Sequence, residues 1–368
     1  MTSIHTNSGA ISALHTLRGI TSSLNETQVQ ISSGMRVNNA SDNAAYWSIA
    51  TTMRSETKAL SAVEDSIGLA RAIVDVTYSG LDNVRESLVR IRNLVITART
   101  LPAATANNFE NLSPNPVNSD SKFAQTQLAK VDSEINQLLA SMYSTIKSSS
   151  FGGVNLLWNK ENGRGIDDFT HDFVVDYNSG RVETLKIDQY ALTLFNEDYQ
   201  NHQSGPTFLE TGILDSSDVV YLEGTSASHG LNLFNAAYGI GIVYFQEQHP
   251  LTSPAQPNIL LQLEKSIVRH GAEREATYAN FLDVFEEKIN KIQDGLAYLG
   301  STQSSLTRYA ELVTSRGETY EKGVGRLVDA DMDASSTRLK ALQAQQQLAS
   351  QSLQIANNNA STILQLFR

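Results

Sequence analysis

Cysteine is absent from this chain, which excludes disulfide staples, thiolate metal sites and a cysteine nucleophile together. Charge is scarce: 18% of the residues are Asp, Glu, Lys or Arg, against about a quarter in an ordinary soluble chain. No Lys or Arg lies between Lys186 and Lys265. A nucleic-acid protein needs concentrated positive charge to release counterions from phosphates, and no such stripe exists, so nucleic acid is not a partner. No stretch reaches the roughly 18 apolar residues of a membrane span, so no membrane insertion is expected. The start Met1-Thr2-Ser3-Ile4-His5 has neither a basic segment nor an apolar run, so a protein found outside the cell would not have left by a cleaved signal. The seven His residues, at positions 5, 15, 171, 202, 230, 249 and 270, fall in no metal-ligand spacing. No cofactor is expected.

What is present is unevenly distributed. The 368 residues carry a net charge of −11, enough chain for two or three compact units at about 100–200 residues each. Between Phe151 and Gln262 there are fourteen Asp or Glu against four Lys or Arg, so this segment holds −10 and the two flanks together only −1. An acidic middle reads as a solvated, mutually repelling exterior, and near-neutral flanks suit packing against something. Residues 151–262 are rich in Gly, aromatics and turn signals. Phe173–Tyr177, a turn at Asn178-Ser179-Gly180, and Arg181–Ile187 predict a strand, turn and strand, and Gly239–Phe245 predicts another strand. Both flanks instead show helical periodicity, with few Pro and many Ala, Gln, Leu and Ser.

The C-terminal end carries the sharpest pattern. Leu339, Leu342, Gln346, Ala349, Leu353, Ala356, Ala360, Ile363 and Phe367 alternate at spacings of three and four, the mark of a helix that keeps one face against partner helices along its length. Ala341, Leu348 and Ile355 widen the stripe, so more than one neighbour is expected. From Ala341 to Phe367 there is no charged residue, although a solvated amphipathic helix normally carries Lys and Glu opposite its apolar face. Uncharged hydrogen-bonding groups can enter a crowded, partly dehydrated assembly without the cost of burying an ion. The N-terminus matches: Ala10, Leu14, Leu17, Thr21, Leu24, Gln28, Ile31 and Met35 follow the same alternation, with Arg18 and Glu26 the only charged side chains before Arg36, His aside.

Gly34 and the run Asn38-Asn39-Ala40-Ser41-Asp42-Asn43 break the first helix, with Ser41 or Asp42 able to cap the next. Gly323 and Gly325 are expected to break the last. Between the breaks, helices are predicted over Ala44–Thr100, Phe123–Ile146 and about Leu263–Tyr320, with Pro102, Pro114 and Pro116 marking the loop between the first two. Their core positions include Ile67, Val74, Leu81, Leu88, Ile91 and Val95; Leu128, Val131, Ile135, Leu138 and Met142; and Tyr278, Phe281, Phe285, Ile289, Ile292 and Leu299. The expected fold is mainly α, with long paired N- and C-terminal helices in a coiled-coil or helical bundle and a small β-rich insert in the middle. The expected parts are an inner N-terminal helix over 1–43, an outer bundle from 44–150 and 263–322, an insert over 151–262, and an inner C-terminal helix over 323–368.

Two distant motifs carry a family resemblance. Ile31-Ser32-Ser33-Gly34-Met35-Arg36-Val37-Asn38-Asn39-Ala40-Ser41-Asp42-Asn43-Ala44-Ala45 resembles the N-terminal signature of bacterial flagellins. Gly325-Arg326-Leu327-Val328-Asp329-Ala330-Asp331-Met332-Asp333, with Thr337-Arg338-Leu339 and the ending Ile363-Leu364-Gln365-Leu366-Phe367-Arg368, resembles the C-terminal one. Ser150-Phe151-Gly152-Gly153-Val154-Asn155-Leu156-Leu157 is also similar to the family, and Tyr46-Trp47 resembles its alphaproteobacterial branch. The resemblance implies a filament subunit for swimming motility, found outside the cell in the flagellum. Its termini would line an inner tube, its bundle an outer one, and its insert would face solvent. It implies partners as well: other flagellin subunits, alone or with paralogues, the hook-associated junction and cap proteins, the flagellar export apparatus and an export chaperone over the C-terminal helix.

Leu14, Leu17, Leu24, Ile31, Leu339, Leu342, Leu353, Ile363 and Phe367 are the expected subunit-packing residues. Leu88–Leu94 resembles the segment by which many flagellins engage the animal innate flagellin receptor. Arg90, Arg92 and Leu94 match it, but Asn93 replaces an acid, so potent activation is not expected. A hook–filament junction protein is the alternative, sharing paired terminal helices in fewer copies. An enzyme needs a convergent polar site in residues 160–262, and the sequence offers none; adjacent acids such as Asp167-Asp168 and Glu286-Glu287 read as solvated pairs.

Overall fold

The computed structural model describes residues 7–112, 120–159, 170–178, 180–196, 212–214, 218–221, 228–231 and 258–366. Six α-helices dominate: α1 (Ser8–Ser33), α2 (Ala44–Thr100), α3 (Gln127–Ser148), α4 (Ile259–His270), α5 (Arg274–Val328) and α6 (Met332–Leu366). The chain divides into two compact units, one formed by 1–62, 178–180 and 312–368, the other by 63–177 and 181–311.

Helix ends follow from local chemistry. Asn7 Oδ1 accepts from Ala10 N at 3.0 Å to start α1, and Gly34 ends it in the left-handed conformation at φ 70°, which costs a glycine little. α2 begins where the sequence predicts, but its cap is Asn43, whose Oδ1 accepts from Tyr46 N at 3.1 Å. Asp42 folds the preceding loop instead, accepting from Asn38 N and Asn39 N at 2.9 and 3.0 Å. Those amides hold its carboxyl below the usual carboxylate range.

In the second unit α2, α3 and α5 enclose an apolar core. Ile67, Val74, Leu81, Leu88, Ile91 and Val95 of α2 are buried, as are Tyr278, Phe281, Phe285, Ile292 and Leu299 of α5. Phe281 and Phe285 meet edge to face at 5.2 Å. On α3 the buried set is Leu128, Asp132, Ile135, Leu139, Met142 and Ile146. Apolar counting selects Val131 and Leu138 instead because it passes over Asp132. That carboxylate turns inward for a reason: it accepts from Leu260 N and Leu261 N at 2.9 and 3.3 Å and so caps α4 from a neighbouring helix.

The single helix expected over Leu263–Tyr320 is two. α4 starts earlier, at Ile259, and stops at Gly271, which has φ 65°. Nor does α5 stop at Gly323 and Gly325; it runs through both to Val328. A glycine weakens a helix by about 1 kcal/mol without breaking it. At Gly323 a Cβ would meet Met53 Sδ at 3.5 Å, an ordinary contact, so the packing there does not demand glycine.

The predicted strand–turn–strand is present as β2 (Thr170–Asn178) and β3 (Arg181–Asp188), which pair in a two-stranded sheet, and β1 (Trp158–Asn159) pairs in parallel with β4 (Phe195–Asn196). β5 (Asp218–Tyr221) and β6 (Ser228–Leu231) form an antiparallel pair. The strand expected over Gly239–Phe245 lies outside the described residues. Between α3 and β1, Gly152 and Gly153 take φ of 59° and 85°, the tight reversal only glycine makes without strain. Asn155 then ties the turn down, donating to Ile146 O at 2.9 Å and accepting from Leu157 N at 2.9 Å.

Burial of Asp132 has a testable sign. Desolvation pushes its carboxyl up to about 7, against the opposing pull of the two amides, so the fold holds its proton more tightly than the unfolded chain does. Its contribution to stability is then greatest below the unfolded value of 3.8 and falls as pH rises toward the folded one. Wild type is expected to gain urea midpoint relative to Asp132→Asn on going from pH 8 to pH 5. A relative loss would mean that the amides hold the group as an anion.

Candidate assembly surface

The first unit places the two ends of the chain side by side. Asn7 Nδ2 donates to Ala356 O at 2.9 Å, and Ala330 N donates to Gly34 O at 2.9 Å. These two ties make α1 and α6 antiparallel and bring Leu24 level with Leu339.

On α6 the covered positions are those the spacing predicts. Leu339, Gln346, Ala349, Leu353 and Ala356 are half-buried and Leu342 is buried. Ile363 lies within α6 but beyond the side chains described, and Phe367 lies outside the described residues. On α1, Leu17, Thr21 and Ile31 are half-buried and Leu24 is buried, but two other positions of the stripe are not covered. Ala13, Ile20 and Thr27 turn inward, while Gln28 is exposed and Leu14 is 38% exposed. Two stripes share Ala10, Leu17, Leu24 and Ile31, and polarity alone does not choose between them. Thr27 can occupy a core position because its hydroxyl donates to Ser23 O at 2.8 Å, which removes the cost of burying it.

Away from the covered stripes both helices leave apolar side chains uncovered. Ile11, Val29, Leu348 and Ile355 are 57%, 51%, 64% and 62% exposed. The helix pair therefore covers one set of apolar side chains within the chain and leaves these four uncovered, with Arg18 and Glu26 on α1 and Asp333, Arg338 and Lys340 on α6 its only Asp, Glu, Lys or Arg.

The junction below the pair is held by both ends of the chain. Arg36 N and Val37 N donate to Val328 O at 2.6 and 3.3 Å, and Met35 bridges to Asp329 as a single antiparallel pair. The Arg36 guanidinium donates to Leu327 O at 3.0 Å, so a cation meets the negative end of α5. Asp331 Oδ1 accepts from Asp333 N and Ala334 N, each at 3.0 Å, and caps α6. Val37, Ala50, Val324 and Val328 form the small core beneath, flanked by Met35, Met53 and Leu327. Arg36 was legible only as part of a motif; spacing gives no hint that it caps a helix almost three hundred residues away.

In the second unit, Arg90 pairs with Glu134 and Arg92 with Glu286, each at 2.7 Å, and Leu94 is half-buried. The Arg90–Glu134 pair forms part of an open groove of about 410 Å³ beside Lys130, Ser133 and Gln137. Among the described residues no group of His, Asp and Glu is arranged to hold a metal ion, and no helix is long and apolar enough to cross a membrane.

Comparison with known proteins agrees with this geometry. Residues 4–109 match the bacterial flagellin N-terminal helical region and residues 282–367 the bacterial flagellin C-terminal helical region. Flagellin D and Flagellin C of Rhizobium meliloti strain 1021 are each 35% identical to this chain, and a flagellin of Brucella melitensis biotype 1 is 31% identical; in all three the whole of both chains is covered. None of these findings favours the hook-associated alternative. With paired terminal helices, both signatures and full-length relatives in agreement, the chain belongs to the bacterial flagellins of alphaproteobacterial type, the structural subunits of the extracellular flagellar filament.

Proposed function

We infer that the uncovered face of the α1–α6 pair is the surface by which one subunit binds the next. The carrying observation is the set Ile11, Val29, Leu348 and Ile355, all more than half exposed, the last two in a stretch of α6 that has no charged residue from Ala341 onward. Among the described residues of the pair, Leu24 and Leu342 are the only buried leucines. Further apolar burial, at roughly 1.5–3 kcal/mol for each large side chain fully covered, is available only against sister chains. A head-to-tail contact of this kind does not close on itself and grows into a helical polymer.

In this reading 1–43 and 323–368 are the inner arms, 44–150 with 263–322 the outer bundle, and 151–262 the solvent-facing insert. Leu17, Leu24, Ile31, Leu339, Leu342 and Leu353 set the pair, Leu14 joins the outward face, and Ile363 and Phe367 extend the α6 stripe. The same arms, low in charge, suit contact with the hook-associated junction and cap proteins, and with an export chaperone and export apparatus. The ion pairs that occupy Arg90 and Arg92, together with Asn93 in place of an acid, support weak engagement of the innate receptor. The purely structural role of the family supports a subunit without catalytic activity.

Leu348 and Ile355 test the proposal because neither packs on α1. Replacing both with Glu should leave the helical content of the monomer unchanged. It should raise the monomer concentration in equilibrium with polymer by about tenfold or more, equivalent to at least ~1.4 kcal/mol of lost contact. Unchanged polymerisation of the double variant, measured by sedimentation, would remove the proposed surface.

A further inference from the structure

A second uncovered patch lies at the start of α2. Tyr46, Trp47 and Ile49 are 42%, 39% and 47% exposed, three large apolar side chains within four residues. Single exposed apolar residues are ordinary, but Tyr and Trp are the side chains that interfaces favour, and Ile49 lies one helical turn from Tyr46. Its rim is cationic: the Arg36 guanidinium lies 6.0 Å from the Tyr46 ring centre, and Arg54 donates to Met35 Sδ at 3.4 Å. Elsewhere in the same unit Met332 is 43% exposed, between Asp331 and Asp333 at the start of α6. Among the described residues, none of Arg36, Arg54, Asp331 and Asp333 has an ion-pair partner. One chain thus carries an apolar patch with a positive rim and an apolar knob with negative flanks, each incomplete.

We propose that the Tyr46–Trp47–Ile49 patch docks a second copy of this chain through that copy's Met332, with Arg54 facing the carboxylates of Asp331 and Asp333. The inference rests on the subunit's assembling with copies of itself and adds a contact outside the terminal pair. Head-to-tail growth needs two different, complementary surfaces on every subunit, and these two match in shape class and in sign. A thioether against aromatic rings is a favourable contact, and opposite charge at the rim fixes register more than it adds affinity.

The chain has two tryptophans, so Trp158→Phe leaves Trp47 as the sole reporter. In the monomer Trp47 should be open to acrylamide quenching; on polymerisation its quenching should fall several-fold and its emission shift to the blue. In the otherwise unaltered chain, Arg54→Glu and Asp333→Arg should each raise the residual monomer concentration about tenfold, and the two together should restore it toward wild type. The proposal is overturned if Trp47 is as quenchable in the polymer as in the monomer. It is also overturned if Trp47 is already shielded in the monomer, where another part of the chain would be covering it, or if the double exchange is no better than the singles. Sedimentation of the exchange variants decides the matter even if Trp158→Phe fails to fold. Polymer from wild type with any of these three outcomes refutes this contact alone; no polymer from wild type refutes the assembly surface as well.

Discussion

A chain lacking residues 340–368 is expected to form no sedimentable polymer at any concentration at which the full chain does. α6 supplies Leu342, the buried centre of its half of the terminal pair, and the outward Leu348 and Ile355. The deletion strips Ala13, Leu17 and Ile20 of the surface that covers them and leaves Leu24 at the cut edge, so most of α1 should lose its helix as well. Most of a helix's stability in a protein comes from the packing of its apolar face, which this part of α1 would no longer have. Helical circular dichroism should therefore fall by more than the deleted residues account for. The Phe281–Phe285 core of the second unit should keep its cooperative unfolding. Filaments visible by electron microscopy would mean that assembly does not need the pair.

The second large effect concerns a buried charge in the bundle. Glu264 of α4 is fully buried, and its Oε1 accepts from Arg274 Nε and from Tyr278 Oη, both at 2.7 Å. Its Oε2 accepts from Ala104 N at 3.2 Å. Arg274 also donates to Arg99 O and Ala98 O at 2.8 and 3.0 Å, at the last turn of α2, and stacks on the Tyr278 ring at 4.8 Å. One ion pair therefore joins α4, the first turn of α5, the end of α2 and the loop after it. Arg274→Met leaves a carboxylate in an apolar interior and is expected to cost about 3–5 kcal/mol, read as a lowered urea midpoint. Replacing both partners, Glu264→Leu with Arg274→Met, removes the unpaired charge and should recover most of the loss. A single variant as stable as wild type would show that the ion pair holds nothing together.

The fold was largely legible because most of its helices obey simple periods. The whole of α2, the α6 stripe from Leu339 to Ala356, and the β2–β3 pair follow from apolar spacing and turn residues. What escaped was polar. Asp132 and Thr27 sit in core positions because each has a local partner, two α4 amides in one case and the Ser23 carbonyl in the other. A count of apolar residues therefore shifts the stripe to Val131 and Leu14. The glycines misled in the opposite sense. Gly271 ends a helix that periodicity would continue, while Gly323 and Gly325 lie inside one, and only the left-handed φ of the first distinguishes them. The charge pattern of the candidate surface could be read directly, but which apolar residues remain uncovered could not, since that depends on the register between two segments at opposite ends of the chain.

The junction at Met35 has a consequence for the order of events during synthesis. Arg36, Val37 and Gly34 find their backbone partners at Leu327, Val328 and Ala330. A chain emerging N-terminus first holds these groups open until almost its entire length has been made. Closing so long a loop is slow compared with winding any one helix. The junction therefore forms late, and when either end is pulled away the Asn7–Ala356 tie at the far end of the pair opens before it.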